Sequence, residues 1–122
     1  MRSARALEAA VLGVDPGTYP DADTYVRVCL AALGVFVPAG VGARLSAHGF
    51  ATGWELVDAD TAIVQASRGH PVVAVAGSDV ALVVPCRLGD EPWIAQGGPA
   101  PRTRAPVTAA FGRTVPAYWA HP

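Results

Sequence analysis

The sequence contains no lysine and few charged residues of either sign. Nine arginines stand against ten acidic residues, so that the formal net charge is −1 and charged residues make up only 16% of the chain. Proteins that bind nucleic acid depend largely on clustered basic side chains that neutralise phosphates. The composition therefore argues against a nucleic-acid partner.

Long apolar runs are also missing. The longest uncharged stretch, Val28–Ala43, is interrupted by Pro38 and by three glycines, so it predicts no membrane span. The N-terminal residues MRSARALEAAVLGVD resemble the start of a signal peptide, but Glu8 interrupts the apolar run and no clean cleavage site follows. We therefore expect a cytoplasmic protein without a signal peptide, and export that needs no signal stays open.

Cysteine and histidine are too scarce and too scattered to indicate a metal site. The two cysteines, Cys29 and Cys86, fit no metal-ligand spacing, and no carboxylate stands at ligand spacing from any of the three histidines. We expect no metal and no cofactor. One disulfide is conceivable, but two buried thiols are the preferred interpretation.

Apolar residues, in contrast, are abundant. They make up 52% of the sequence, which is enough for one well-filled core. The chain of 122 residues is too short for two ordinary domains. The sequence therefore predicts a single domain over residues 1–122. It does not indicate an oligomeric state.

Helices are predicted in the first half of the chain and strands in the second. Ser3–Leu12 is predicted as a short helix, a second helix begins after Asp21 and ends near Leu33, and a third lies between the cap Asp58 and Gly69. A loop with one helical turn is expected between the last two.

Two valine-rich runs, Val72–Ala76 and Val80–Val84, are typical of strands buried on both faces, and the residues GSD between them indicate a tight hairpin. PWIAQGG predicts a third strand. FGRTVPAYWAHP contains a last strand, in which Pro116 favours an edge position, and we expect one of its aromatic residues Tyr118 and Trp119 to be exposed. This order predicts an α+β domain in which N-terminal helices pack on a small antiparallel sheet.

Four segments of the chain carry a resemblance to a known family. DADTYVRVCLAALGV resembles the pattern CNxFVxxVLxxxG, and GWELVDADTAIVQASRGHPVVAV resembles GW…V…A…A..G.PVVAV. SDVALVVP resembles GHVAVVRP, and PWIAQGG…FGRTVPAYWAH resembles P.IAQAG…FG…..Y..H. From Tyr19 to His121 the chain is thus similar to small bacterial peptidoglycan amidases of the papain-like superfamily, the CHAP and NlpC-like group.

The resemblance implies a papain-like fold in which the catalytic residues have been replaced. In the family, a cysteine at a helix N-terminus attacks an amide, a histidine on a strand activates it, and a polar residue on the next strand orients the histidine. If Tyr25 and Val26 match the FV of the pattern, Ala22 stands at the cysteine position and Asp79 at the histidine position. Gln96 is the possible third residue. A methyl group cannot attack a carbonyl, and a carboxylate is a poor base near neutral pH unless its pKa is raised strongly.

The resemblance also implies a binding cleft with an acidic character. Asp23 falls beside the nucleophile position, and Asp21 and Asp79 would lie near it, so such a cleft would favour a cation, an amine or an arginine of a partner. The simpler interpretation is preferred, in which Asp21 and Asp23 cap a helix and Asp79 belongs to a turn. Trp54 is a further cleft candidate, although a core or rim aromatic is the simpler interpretation.

The sequence leads to a hypothesis and two alternatives. The hypothesis is a catalytically inactive relative of peptidoglycan amidases that binds a protein partner or a peptidoglycan fragment. The first alternative is an active cysteine amidase or peptidase that uses Cys29 or Cys86. The second is an unrelated small α+β interaction protein.

Overall fold

The structure, a computed structural model, describes residues 3–19, 21–49, 53–89, 91–98 and 100–122. These ranges contain helices and a six-stranded antiparallel sheet, so the α+β class is confirmed. The helices are α1 (Ala4–Leu12), α2 (Ala22–Ala32), α3 (Val41–His48), α4 (Ala59–Ser67) and α5 (Val107–Phe111), with a 3-10 turn at Pro16–Thr18. The strands are β1 (Glu55–Val57), β2 (Val72–Ala76), β3 (Asp79–Val84), β4 (Trp93–Gln96), β5 (Arg102–Pro106) and β6 (Ala117–Ala120).

The three predicted helices each begin after a capping side chain, and for α2 and α4 these are the predicted caps Asp21 and Asp58. The side chain of Ser3 accepts a hydrogen bond from the backbone N–H of the third helical residue of α1. Asp21 and Asp58 do the same for α2 and α4, at 2.7 and 2.8 Å. Each cap satisfies one of the backbone donors that a helix start leaves without a partner. Gly34 and Gly69, both at positive φ, follow the ends of α2 and α4.

The sheet has the strand order β1-β6-β2-β3-β4-β5. Its centre is the predicted hairpin of β2 and β3, in which Ala76 pairs with Asp79 across a two-residue turn. The first turn residue, Gly77, has a φ of 60°, a conformation that glycine adopts without steric cost. The valines of both strands are buried, as the uninterrupted apolar runs predicted.

The prediction of an edge position for β6 is wrong. The strand lies between β1 and β2, and both Tyr118 and Trp119 are buried. Pro116 precedes the first residue of the strand, so its missing N–H removes no hydrogen bond from the ladder. The real edges are β1 and β5, two strands that the sequence did not predict.

Helix α2 packs on β3, and α4 packs on β2, β3 and β6. The buried apolar side chains form one cluster that these helices share with the sheet, and Tyr25, Val26, Cys29 and Leu30 are the contribution of α2. This packing fixes the first turn of α2 against the sheet. None of the helices in the described ranges is both long and apolar enough to cross a membrane.

Candidate functional site

Two glycines after β4 bring its backbone against the first turn of α2. A Cβ atom added to Gly97 would lie only 2.5 Å from the Cβ of Tyr25, and one added to Gly98 would lie 3.4 Å from the backbone nitrogen of Ala22. The Gly98 N–H also donates to the carbonyl of Tyr19, at 3.3 Å. No larger residue fits at position 97 without movement of the backbone or of α2.

The start of β3 adjoins the same corner. The side-chain amide of Gln96 donates from Nε2 to the carbonyl of Val80, at 3.4 Å, and Gln96 is the one polar side chain among the described residues that is buried. The register of β3 and β4 pairs Leu82 with Ala95. Asp79, the first residue of β3, directly precedes Val80. We call this meeting of the α2 N-terminus, the start of β3 and the end of β4 the α2 corner.

The α2 corner thus contains the three positions to which the resemblance assigns catalytic roles. Those positions carry the methyl group of Ala22, the carboxylate of Asp79 and the carboxamide of Gln96. Asp79 is exposed to solvent at the first rung of the hairpin, and the Gln96 amide donates to the backbone of β3. The methyl group of Ala22 has no atom that can act as a nucleophile toward an amide.

The carboxylate of Asp21 has a local structural role. Its Oδ1 accepts from the Thr24 N–H at 2.7 Å, and its Oδ2 accepts from the Thr24 hydroxyl at 3.0 Å. These two hydrogen bonds, together with the nearby Arg27 guanidinium, lower the pKa of Asp21 below its usual range. The prediction that Asp21 caps the helix is therefore confirmed.

Asp23 caps a different helix from the one on which it lies. Its two carboxylate oxygens accept from the N–H groups of Gly40, at 3.1 Å, and Val41, at 2.7 Å. Gly40 is the N-cap residue of α3 and has no side chain with which to cap it, so Asp23 supplies the acceptor. Sequence reasoning missed this contact because the two partners are far apart in the chain and no local pattern joins them.

The structure does not bring Trp54 to the α2 corner. Its buried ring meets the His121 ring edge to face, with ring centroids 5.0 Å apart. Both rings line a groove of about 450 Å³ beside the loop that connects α2 with α3. The described residues that line this groove include none of the other cleft candidates.

Neither cysteine lies at the α2 corner in a reactive setting. Cys29 is fully buried in the core, and burial raises the pKa of its thiol to about 11. Cys86 is partly exposed, so the prediction of two buried thiols is wrong for this residue, which lies beyond the end of β3. The two cysteines, both within the described ranges, do not form a disulfide with each other.

No protein-family model and no curated protein matches this chain. The resemblance to papain-like amidases thus depends on the four quoted segments, and the geometry of the α2 corner is an observation independent of them. In the part of the chain that the structure describes, no group of three or more histidine, cysteine or acidic side chains could hold a metal ion.

Proposed function

We propose that this chain is a non-catalytic papain-like domain, a pseudoenzyme of the peptidoglycan-amidase type, which binds a protein partner or a peptidoglycan fragment. One observation carries the proposal: the end of β4 lies against the first turn of α2 at Ala22, beside the start of β3. A nucleophile, a base and an orienting residue of a papain-like amidase would need these three elements to meet.

The same corner argues against catalysis. A helix N-terminus lowers the pKa of a cysteine placed on it, but position 22 carries alanine and has no atom that can attack a carbonyl. Asp79 stands in the place of the histidine and is exposed to solvent. The architecture of a site combined with the loss of its reactive groups is what the pseudoenzyme hypothesis requires.

The alternative of an active cysteine enzyme finds less support. Cys29 is enclosed in the core, and its raised pKa leaves very little thiolate at neutral pH. Cys86 is partly exposed but lies seven residues along the chain from Asp79, a separation of about 20 Å in an extended strand. It therefore cannot share a reacting centre with the α2 corner.

Restoration of the two replaced groups tests the proposal. We expect the double variant Ala22→Cys/Asp79→His to cleave peptidoglycan or model amide substrates, and the natural protein to cleave neither. Ala59→Cys/Asp79→His is the matched control, because Ala59 is the first residue of α4 and follows an aspartate cap of the same kind. Both variants carry Cys86→Ser in addition, so that the partly exposed native thiol does not react. The rate of thiol alkylation by iodoacetamide, measured as a function of pH, then gives the pKa of each introduced cysteine.

Three results are informative. A thiol at position 22 with a pKa well below that of the thiol at position 59, together with cleavage by the first variant alone, supports an inherited site. Equal pKa values at both positions and no cleavage would contradict the papain-like arrangement. Cleavage by the natural protein, abolished by Cys86→Ser, would replace the pseudoenzyme proposal by the active-enzyme alternative.

Binding measurements distinguish the two proposed ligand classes, a protein partner and a peptidoglycan fragment. Co-sedimentation with purified peptidoglycan sacculi tests the cell-wall ligand directly. The Asp21 and Asp23 carboxylates already accept hydrogen bonds from the backbone, so the simpler interpretation gives these acidic residues structural roles and no ligand. We therefore expect Asp79→Asn to leave the binding of peptidoglycan unchanged. A large loss of affinity would instead support the acidic cleft.

A further inference from the structure

The loop between α2 and α3 exposes an aromatic side chain between two grooves. Phe36 is 82% exposed and lines a cavity on each side. One groove, of about 530 Å³, runs along the outer face of α2, and the other, of about 450 Å³, reaches Trp54. We call Phe36 and the linings of both grooves the Phe36 surface.

Two arginines are fixed on this surface by the loop itself. Arg27 Nε donates to the carbonyl of Val37 at 3.1 Å, and Arg44 Nε donates to the carbonyl of Ala39 at 2.9 Å. These bonds use one donor of each guanidinium and orient its plane. The terminal amino groups of both arginines make no hydrogen bond with another described residue. Each therefore remains able to bind a carboxylate through two parallel N–H donors.

The charge of the Phe36 surface differs from that of the whole chain. Acidic residues slightly outnumber basic ones in the sequence, yet no described residue that lines either groove is acidic. The carboxylate of Asp21 interacts electrostatically with Arg27 but already accepts two hydrogen bonds from Thr24, and that of Asp23 accepts from the N–H groups of Gly40 and Val41. The surface is thus apolar at its centre and positive at its sides.

We propose that the Phe36 surface binds a segment of a partner protein in which an aspartate or glutamate stands beside a large apolar side chain. The apolar side chain covers Phe36 and enters a groove, and the carboxylate pairs with Arg27 or Arg44. Because the loop already orients both guanidinium groups, little side-chain freedom is lost when they bind. The inference uses neither the α2 corner nor the papain-like resemblance, so it stands or fails separately from the proposed function.

Selection from a random twelve-residue peptide library displayed on phage tests the inference. The natural protein is the target, and Phe36→Ser/Arg27→Gln/Arg44→Gln is the counter-target. The matched control is Val115→Ser/Arg113→Gln, which removes an equally exposed apolar residue and an exposed arginine from the turn before β6. We expect enriched peptides with an acidic residue next to Phe, Trp, Leu or Ile. Circular dichroism and the urea midpoint establish that each variant folds.

A synthetic copy of the most enriched peptide then gives the affinities. We expect Phe36→Ser to weaken its binding about tenfold or more, each arginine variant to weaken it several-fold, and the control to leave it unchanged. Binding should also weaken as salt is raised, and a peptide with Gln in place of its acidic residues should bind like the counter-target. No enrichment over the counter-target, or enriched peptides without acidic residues, overturns the inference.

Two other occupants are distinguished by direct measurement. Sedimentation of the natural protein alone, compared with Phe36→Ser, detects pairing of two copies through this surface. Flotation with vesicles of phosphatidylcholine and phosphatidylserine detects a lipid surface. Self-association or vesicle binding that disappears in Phe36→Ser would reassign the surface and contradict the peptide proposal.

Discussion

The tetrapeptide Asp-Ala-Asp-Thr occurs twice in this chain, and it begins α2 and α4 in the same way. Asp21 and Asp58 each accept a hydrogen bond from the N–H of the threonine three residues later, at 2.7 and 2.8 Å. In both, this bond is the main cause of a pKa below the usual range of an aspartate. Four residues thus determine the same cap in two different places.

The surroundings of the two copies differ. Asp23, in the first copy, caps α3, whereas Asp60, its counterpart in the second, is exposed and makes no such contact within the described residues. The backbone after β4 lies against the start of α2. The aspartates of the first copy therefore need no catalytic explanation, and what distinguishes α2 as a candidate site is the packing around it.

The buried faces of the two helices extend the comparison. Counted from the cap, the fourth, fifth and eighth residues are buried in both, but α2 carries Tyr25 and Cys29 where α4 carries Ala62 and Ala66. Helix α2 thus places a hydroxyl and a thiol in the core, and burial raises the pKa of both groups. An ionisable core is therefore a property of α2 and not of α4.

The largest expected effect tests the packing at the start of α2. Gly97→Ala places a Cβ 2.5 Å from that of Tyr25, and we expect it to lower the free energy of unfolding by about 3 kcal/mol. The control is Gly77→Ala, in the open turn of the hairpin, where only the positive φ opposes a side chain and the cost is about 1 kcal/mol. Urea denaturation measures both. Equal losses would show that the α2 corner is not closely packed.

A second, smaller difference in stability is expected between variants of Asp23 and Asp60, the third residues of the two tetrapeptides. Asp23→Ala leaves the N–H groups of Gly40 and Val41 without their acceptor, and we expect a loss of about 1–2 kcal/mol. Asp60→Ala, which removes the same charge from the same helical position, should change stability by less than about 0.5 kcal/mol. Hydrogen exchange at Gly40 and Val41 should accelerate only in Asp23→Ala. Similar losses in both variants would mean that Asp23 acts through the charge of its own helix end.

Those features that depend on neighbouring residues could be predicted from the sequence. Neighbouring residues alone determine the caps Asp21 and Asp58 and the valine-rich strands β2 and β3. The structure has these features where they were expected. Strand β1 was missed because it has only three residues, and β5 was missed because its sequence, RTRAP, contains proline and no apolar alternation. The position of β6 was wrong because Pro116 favours an edge only when it lies inside the strand.

The candidate site divides in the same way. Ala22, Asp79 and Gln96 could be named from the order of segments, because helix starts and strand ends that follow a family pattern have restricted positions. Trp54 could not be placed, since its location depends on the path of the loop between α2 and α3. The contact of Asp23 with α3 and the exposure of Phe36 depend on that same path, and no periodicity reports it.

The smallest expected effect concerns the core of α2 in alkali. Burial raises the Cys29 pKa from 9.0 to about 11, so the neutral thiol is favoured in the folded state. The stabilisation is therefore complete below pH 9 and is lost as the pH rises toward 11, because the unfolded thiol ionises first. We expect the free energy of unfolding to fall by about 1 kcal/mol between pH 8 and pH 10.

Up to pH 9 the tyrosines of the unfolded chain are still largely neutral, so the early part of the fall reports the thiol, whereas near pH 10 Tyr25 and Tyr118 also contribute because their pKa values are raised in the folded state. Cys29→Ala should lower stability at pH 8, because it leaves a small cavity, and should remove most of the slope between pH 8 and pH 9. Cys86→Ala should retain the slope, since that side chain is partly exposed. Urea denaturation at closely spaced pH values gives the slopes. A slope that persists in Cys29→Ala would show that the thiol of α2 is not the group that distinguishes its core from the alanine-lined core of α4.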